Sequence, residues 1–113
     1  LNGGAGNDQL KGGLGNETYE FELGFGADTI YEKGGNDTIL FGKGINVNDL
    51  LVNSSGQDLV LNLKNGQDQI TIKDWAVSDK HKVETITFHT GERYDLTDLD
   101  QKLNLIKSNQ IKF

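Results

Sequence analysis

GGAGNDQLK-GGLGNETYE-FE-LGFGADTIY-EKGGNDTIL, residues 3 to 40, divides into four blocks of nine residues, with a two-residue insertion after the second block. The blocks cover residues 3–11, 12–20, 23–31 and 32–40. Each block has glycine in its first half, an acidic residue at its sixth position and a large apolar residue at its eighth. The acidic residues are Asp8, Glu17, Asp28 and Asp37, and the apolar residues are Leu10, Tyr19, Ile30 and Ile39. A repeat of this length is typical of arrays in which each unit stacks on its neighbours.

Each block predicts a turn followed by a short strand. Glycine tolerates positive φ and close backbone approach, so the first six residues can curl with carbonyl oxygens pointing inward. The last three residues, such as Thr29-Ile30-Tyr31, are β-branched or aromatic and favour a strand. Because side chains alternate along a strand, the residue at position eight should point into a narrow core.

The same turns have the composition of a calcium site. Ca²⁺ is a hard cation that takes six to eight oxygen ligands from carbonyls and carboxylates. One tight turn ending in an acidic residue supplies about half of that set, so two stacked turns complete it. The alternatives are a flexible Gly/Asn/Asp-rich linker and a solvated acidic face. Four blocks in register disfavour the linker, and the acidic-face alternative stays open in part for Glu17.

Composition restricts the other function classes. The 113 residues suit one domain, and the net charge of −6 disfavours nucleic-acid binding, which needs a basic face. The sequence has no Cys, so bound metal is the natural substitute for disulfide stabilisation in a glycine-rich chain. Two Ca²⁺ ions would reduce the formal charge from −6 to −2. Leu1-Asn2 matches positions eight and nine of a preceding block, so we expect the chain to be part of a longer repeat.

After residue 44 the glycine rhythm stops and strand signals follow. Alternating or apolar runs predict strands over residues 50–53, 58–64 and 67–75, which are expected to form an antiparallel meander, and another strand over residues 83–88. Asn65-Gly66 predicts a two-residue hairpin turn. Thr97 is a predicted helix N-cap, and Leu99, Leu103 and Ile106 have helical spacing, which predicts a helix over about residues 97–107.

The nonapeptides resemble those of the RTX (repeats-in-toxin) family of bacterial secreted proteins. The segments around Asp58-Leu59-Val60 and Ile70-Thr71-Ile72 are similar to the region that follows the last repeats in that family. The resemblance implies an all-β fold with minor α content: a right-handed parallel β-roll over residues 1–44, capped over residues 45–113 by the antiparallel meander and the short helix. It also implies calcium ions between turns one coil apart.

The resemblance carries two calcium sites onto this sequence. The ligands of the first would be the carbonyls of Gly3, Ala5, Gly24 and Gly26 with the side chains of Asp8 and Asp28. The ligands of the second would be the carbonyls of Gly12, Leu14, Lys33 and Gly35 with the side chains of Glu17 and Asp37. We expect the second site to be the weaker, because Glu17 replaces the family aspartate and Glu32 and Lys33 replace glycines. Asn46 is a candidate for a further weak half-site.

The resemblance further implies a folding and secretion module that is not an enzyme. The larger bacterial parent, a toxin, adhesin or exoenzyme, would pass a type I secretion apparatus unfolded and fold outside the cell on binding calcium. The cap would complete and nucleate the roll. The module would be monomeric and extracellular or at the bacterial surface, without nucleic-acid partners and with membrane or host-surface contact only through its parent.

The competing hypothesis is a module of an RTX adhesin that binds a glycan or a peptide. Trp75 could then be a stacking platform for the ligand, although a core anchor between cap and roll is the favoured interpretation. His81 and His89 are isolated imidazoles without Cys partners, so a structural zinc site is disfavoured. Ser78, Asp79 and His81 are close in sequence, but a catalytic triad is defined by geometry and not by sequence proximity.

Overall fold

The computed structural model describes residues 2–96 and 111–112, and the regular secondary structure of these residues is almost entirely β-strand. The all-β class predicted from the sequence is therefore confirmed. Two short 3₁₀ helices, Val47–Asp49 and Asp79–His81, interrupt the strands. The strands are β1 (Gln9–Gly13), β2 (Thr18–Phe21), β3 (Ala27–Glu32), β4 (Thr38–Phe41), β5 (Leu50–Ser55), β6 (Asp58–Leu63), β7 (Gln69–Ile72), β8 (Thr85–Phe88), β9 (Arg93–Asp95) and β10 (Ile111–Lys112).

The repeat segment alternates between two sheets. The first sheet has the order β1-β3-β7-β6-β5-β10, and the second has the order β2-β4-β8-β9. Strands β1, β3 and β7 are parallel, as are β2, β4 and β8. Gln9 pairs with Thr29 and Thr18 with Thr38, so neighbouring strands are offset by two nonapeptides plus the insertion. Each sixth-position acid therefore lies beside the acid of the block after next.

Strands β5, β6 and β7 form the predicted antiparallel meander. The sequence did not predict that β7 also pairs in parallel with β3, or that β8 pairs in parallel with β4. The turn between β6 and β7 is longer than the two-residue hairpin expected from Asn65-Gly66. The Leu63 and Asp68 backbones bond at 3.0 Å, and the Asn65 side chain accepts the N–H groups of Gln67 and Asp68. The side-chain bonds of Asn65 thus favour a wider turn.

The predicted helix over residues 97–107 lies outside the described residues. After this segment in the sequence, β10 pairs antiparallel with β5, with Ile111 beside Val52. No helix of the described part of the chain is long and apolar enough to cross a membrane.

The core consists of apolar columns that the parallel register stacks between the two sheets. Leu10, Ile30 and Ile72 form one column from the first sheet, and Tyr19, Ile39 and Ile86 form another from the second. All four position-eight residues are buried, as the alternation predicted.

A third, aromatic column was not predicted. Phe21, Phe41 and Phe88 are aligned in register and buried, with ring centroids 6.2 Å and 5.3 Å apart along the column. Phe21 belongs to the two-residue insertion, which the nonapeptide frame treated as an interruption. The insertion therefore supplies a core residue.

Trp75 is a core residue, in agreement with the favoured interpretation. Its side chain is only 1% exposed, and the Lys82 ammonium lies 5.3 Å from the ring centroid. A ring buried to this extent offers no face on which a ligand could stack.

We expect Phe41→Ala to lower the free energy of unfolding by about 3–5 kcal/mol, because it removes the middle ring of a buried aromatic column. Urea denaturation followed by circular dichroism measures the change. Leu14→Ala is the control, since Leu14 is 78% exposed and its truncation should change stability by less than about 0.5 kcal/mol. Equal effects of the two substitutions would contradict this description of the core.

Candidate metal centre

The parallel register brings acidic residues of successive coils together. The Asp8 backbone N–H donates to Asp28 Oδ1 at 2.8 Å, and the Glu17 N–H donates to Asp37 Oδ1 at 2.7 Å. The two acids of each pair are 20 residues apart in the sequence, which is the offset of the paired strands. The structure thus brings together Asp8 with Asp28 and Glu17 with Asp37, the two pairs that the family resemblance implied.

The first pair, Asp8 and Asp28, has unused ligand capacity. Oδ2 of each residue is buried and has no hydrogen-bond partner, and Asp28 is only 2% exposed. A Cβ at Gly3 would lie 2.7 Å from Asp8 Oδ2, so only glycine fits over this carboxylate. Burial raises the pKa of Asp28, and the charges of Asp8 and Asp68 raise it further against the hydrogen bond from Asp8.

Asp68, which the sequence analysis did not select, meets the turn that precedes Asp28. It accepts the backbone N–H groups of Gly24 and Gly26 at 2.9 and 3.0 Å, and the Asn65 side-chain amide at 2.8 Å. Burial raises its pKa, but these hydrogen bonds outweigh burial and hold the pKa below its usual value. Asp68 therefore satisfies its charge with backbone donors and differs from the two members of the first pair.

The second pair is part of a larger group, which we call the Glu17 cluster: Glu17, Glu32 and Asp37. One carboxylate oxygen from each of these residues lies within 4.8 Å of the others, and Glu32 and Asp37 are 2% and 1% exposed. Glu32 enters the cluster at a position where the repeat pattern expects glycine. Burial raises the pKa of Asp37 to about 8, with the nearby Glu32 and Glu17 charges adding to the effect.

The hydrogen bonds of the Glu17 cluster leave two oxygens unused. Glu17 Oε1 and Asp37 Oδ2 are buried without a partner. Glu32 is bonded through both oxygens: Oε2 accepts the Tyr19 hydroxyl, and Oε1 accepts the N–H groups of Lys33 and Gly34 at 3.1 and 3.4 Å. Burial and the bond to Glu32 raise the pKa of Tyr19 above its usual value, so this hydroxyl stays protonated and donates.

The residues of both groups fit a hard divalent cation. Their donors are carboxylate oxygens, which Ca²⁺ prefers, and four of these oxygens are buried and unpartnered. A buried charged oxygen without a partner is costly, and a cation placed beside it removes that cost. The first pair and the Glu17 cluster are therefore each suited to hold a cation.

The structure places the other predicted ligands in the turns around these acids. Gly26 packs so closely that a Cβ there would lie 2.6 Å from the Gly6 carbonyl oxygen, and Gly35 packs in the same way against Gly15. Gly12 lies over the Glu17 cluster, and Leu14 is exposed. The predicted carbonyl ligands are Gly3, Ala5, Gly12, Leu14, Gly24, Gly26, Lys33 and Gly35, and their role as ligands stays a prediction.

Asn46 has a local role in the structure. It is the N-cap residue of the 3₁₀ helix Val47–Asp49, and its backbone N–H donates to the Asp49 carboxylate at 3.0 Å. It is Asp68 that accepts hydrogen bonds from the turn containing Gly24 and Gly26.

Glu84 is a further acid that the sequence analysis missed. Its Oε1 accepts the Asp37 backbone N–H at 2.8 Å, so Glu84 follows Glu17 and Asp37 as the third acid of that column. A signal for it exists in the sequence, because Asp28-Thr29-Ile30 and Asp37-Thr38-Ile39 recur as Glu84-Thr85-Ile86. The long gap before this third copy concealed it.

His81 does not lie in a cluster of nitrogen and sulfur ligands. Its Nδ1 is 2.9 Å from the Glu32 backbone carbonyl oxygen, which ties the 3₁₀ helix Asp79–His81 to β3. This contact gives the residue a structural role.

Comparison with known proteins agrees with these observations. Residues 58–98 match the family model described as the haemolysin-type calcium binding protein related domain. The match spans β6 to β9, so it lies in the region predicted to be the cap, and the resemblance inferred from the repeats is confirmed. Because the family description names calcium, it supports Ca²⁺ as the cation.

A curated relative extends the similarity beyond the family match. The chain is 34% identical over 86 residues to the iron-regulated protein FrpA of Neisseria meningitidis serogroup C. The alignment covers 70% of this chain and 8% of that protein. The chain thus corresponds to a small part of its relative.

Without divalent cations, we expect the folded chain to lose stability as the pH rises. The pKa of Asp37 is about 8 in the fold against 3.8 ordinarily, and burial shifts Asp28 and Glu32 in the same direction. Between these pH values the fold holds a proton that the unfolded chain has released, so the free energy of unfolding falls with rising pH. Melting temperatures of cation-depleted protein at pH 5 and pH 8 test this, and the absence of any melting transition at pH 8 would be the limiting case of the same loss.

Asp37→Asn is the matched variant for the pH experiment. It keeps an oxygen to accept the Glu17 N–H but cannot ionise, so its melting temperature should depend less on pH between 5 and 8. The lowered pKa of Asp68 acts in the opposite direction, but only below its ordinary value of 3.8. A wild-type melting temperature that rises from pH 5 to pH 8 would refute the prediction.

Proposed function

We propose that this chain is a calcium-binding module that folds on Ca²⁺ binding after type I secretion of a larger bacterial protein. The observation that carries the proposal is the set of four buried carboxylate oxygens without partners, at Asp8, Glu17, Asp28 and Asp37. All four residues occupy the sixth position of a nonapeptide. The fold that we propose around them is a right-handed parallel β-roll with at least two Ca²⁺ ions between its coils.

Electrostatics explains why folding would depend on calcium. The metal-free fold brings like charges together away from water, and its glycine-rich turns lose much conformational entropy on ordering. Metal binding that requires the folded site contributes its free energy to folding. Extracellular calcium modules commonly have Kd values of about 10⁻⁴ to 10⁻³ M, so such a site is empty inside a cell and filled outside it.

The region after residue 44 supports the proposed role of a cap. Strands β7 and β8 continue the parallel pairing of β3 and β4, so they would supply a third coil to the roll. At this coil Asp68 and Glu84 accept backbone N–H groups of the preceding turns. We therefore propose that residues 45–113 complete and nucleate the roll formed by residues 1–44, within a secreted toxin, adhesin or exoenzyme.

A calcium titration tests the proposal directly. Starting from cation-depleted protein near pH 7.5, addition of Ca²⁺ should produce a cooperative gain of β signal in far-UV circular dichroism near millimolar concentration. Mg²⁺ should not substitute, because it demands near-ideal octahedral geometry and keeps its waters. Asp28→Asn should shift the midpoint to higher calcium.

Glu22→Gln is the control for this titration, since it removes an exposed charge while Asp28→Asn removes a buried one. Its midpoint should match that of the wild type. A chain that is fully folded without divalent cations, and whose melting temperature ignores calcium, would refute the proposed function.

The junction of roll and cap makes a separate prediction. Asp68→Ala leaves the N–H groups of Gly24 and Gly26 without their acceptor, and should lower the free energy of unfolding by about 2–4 kcal/mol at saturating calcium. The loss is measured by urea denaturation at a calcium concentration about 10-fold above the titration midpoint, which is near saturation. Glu22→Ala should change it by less than about 0.5 kcal/mol. Equal stability of the two variants would rule out this role for Asp68.

A further inference from the structure

We propose that Glu32 is a third carboxylate ligand of the ion at the Glu17 cluster, and that this site binds calcium more tightly than the first pair. The inference rests on the proposed function, since it assumes that the chain binds Ca²⁺. It reverses the order expected from the sequence, where Glu32 counted as the loss of a glycine.

The geometry places Glu32 inside the cluster. Its carboxylate lies within 4.8 Å of one oxygen each from Glu17 and Asp37, a separation that a single ion with oxygen ligands at 2.3–2.6 Å can bridge. A Cβ at Gly12 would lie 2.6 Å from Glu32 Oε2 and 2.9 Å from Glu17 Oε1. The absence of a side chain at Gly12 therefore leaves the space that the Glu32 carboxylate occupies.

Glu32 is held in place with ligand capacity to spare. The Tyr19 hydroxyl and the N–H groups of Lys33 and Gly34 donate to it, which fixes both of its oxygens. A carboxylate has about four lone-pair sites, and these three donors leave one of them for a cation. Donors of this kind orient a ligand and are typical of outer partners around metal sites.

A second observation, independent of the acidic composition, points to an ion at this place. Asp37 is only 1% exposed, yet its Oδ2 has no hydrogen-bond partner. Glu17 Oε1 is also buried and unpartnered. Both residues belong to the Glu17 cluster, and the other oxygen of Asp37, Oδ1, already accepts the Glu17 backbone N–H.

The charge count sets the expected order of affinity. The Glu17 cluster brings three carboxylates within 4.8 Å of one another, whereas among the described residues no third carboxylate forms such a group with Asp8 and Asp28. Calcium affinity rises with the number of charged ligands and with the rigidity of the site. The longer side chain of Glu17, which the sequence analysis counted against this site, is thus offset by an additional charge.

Isothermal titration calorimetry of wild type, Glu32→Gln and Glu20→Gln with CaCl₂ tests the inference. Glu32→Gln keeps an acceptor for Tyr19 and removes one charge, and should weaken the tighter calcium event by about tenfold or more. Glu20→Gln removes the same charge from the exposed neighbour of Tyr19, and should stay within about twofold of wild type. Tight binding unchanged by Glu32→Gln would overturn the proposal.

Asp28→Asn provides a second test that does not need Glu32→Gln to fold. If the Glu17 cluster is the tighter site, this variant loses the weaker calcium event and retains the tighter one. Loss of the tighter event would overturn the inference. A wild type that shows no calcium binding would refute the proposed function itself, whereas two wild-type events with the opposite assignment would refute only the role of Glu32.

Discussion

Close approach of buried carboxylates is the constraint on which the rest of this structure depends. Parallel pairing at an offset of 20 residues stacks the sixth-position acids on one another, and the same register stacks the apolar columns of the core. The chain cannot form one without the other, because a strand shifted by one residue would turn its apolar side chains to the opposite face. The hydrophobic core and the concentration of negative charge are therefore two consequences of one alignment.

The turns show how far backbone groups alone can meet this charge. Asp28 and Asp37 each bond one oxygen to the N–H of the acid in the preceding coil, and the second oxygen has no donor within reach. Asp68 meets two glycine N–H groups and an amide, so both of its oxygens are satisfied. An acid can thus stabilise a turn by hydrogen bonding where donors suffice, and needs a cation where they do not.

The repeat frame predicted much of the fold and of the site. The burial of Leu10, Tyr19, Ile30 and Ile39 follows from nine-residue spacing, which is a local property of the sequence, and the pairing of the acids was implied by the family resemblance. The contributions of β7 and β8 to the parallel sheets were not predictable in this way. They depend on a chain that leaves the repeat segment after Phe41, forms the hairpin of β5 and β6 and then returns to pair with β3 and β4, and no local periodicity encodes that return.

The residues missed at the site have the same origin. Phe21 and Glu32 depart from the repeat consensus, and a consensus counts a departure as a loss, although here each side chain fills a space that its neighbours leave. Asp68 and Glu84 lie beyond the repeats and join them only through the parallel pairing of β7 and β8. Spacing finds residues that act within the repeat, whereas tertiary pairing determines those that complete it.

The buried carboxylate oxygens without partners lie in the repeat segment of the described chain. Within the described residues, all of the buried carboxylate oxygens without a partner belong to Asp8, Glu17, Asp28 and Asp37, whereas Asp68 and Glu84, beyond residue 44, accept backbone N–H groups. The coil formed by β7 and β8 therefore carries the smaller electrostatic penalty when no cation is bound. It also presents acceptors to the turns that stack on it, so each coil nearer the amino terminus would be added to an edge that is already ordered. If the proposed roll is built in this order, it needs metal only as its coils accumulate charge, so the proposed nucleation by residues 45–113 and the proposed dependence on calcium are compatible in one chain.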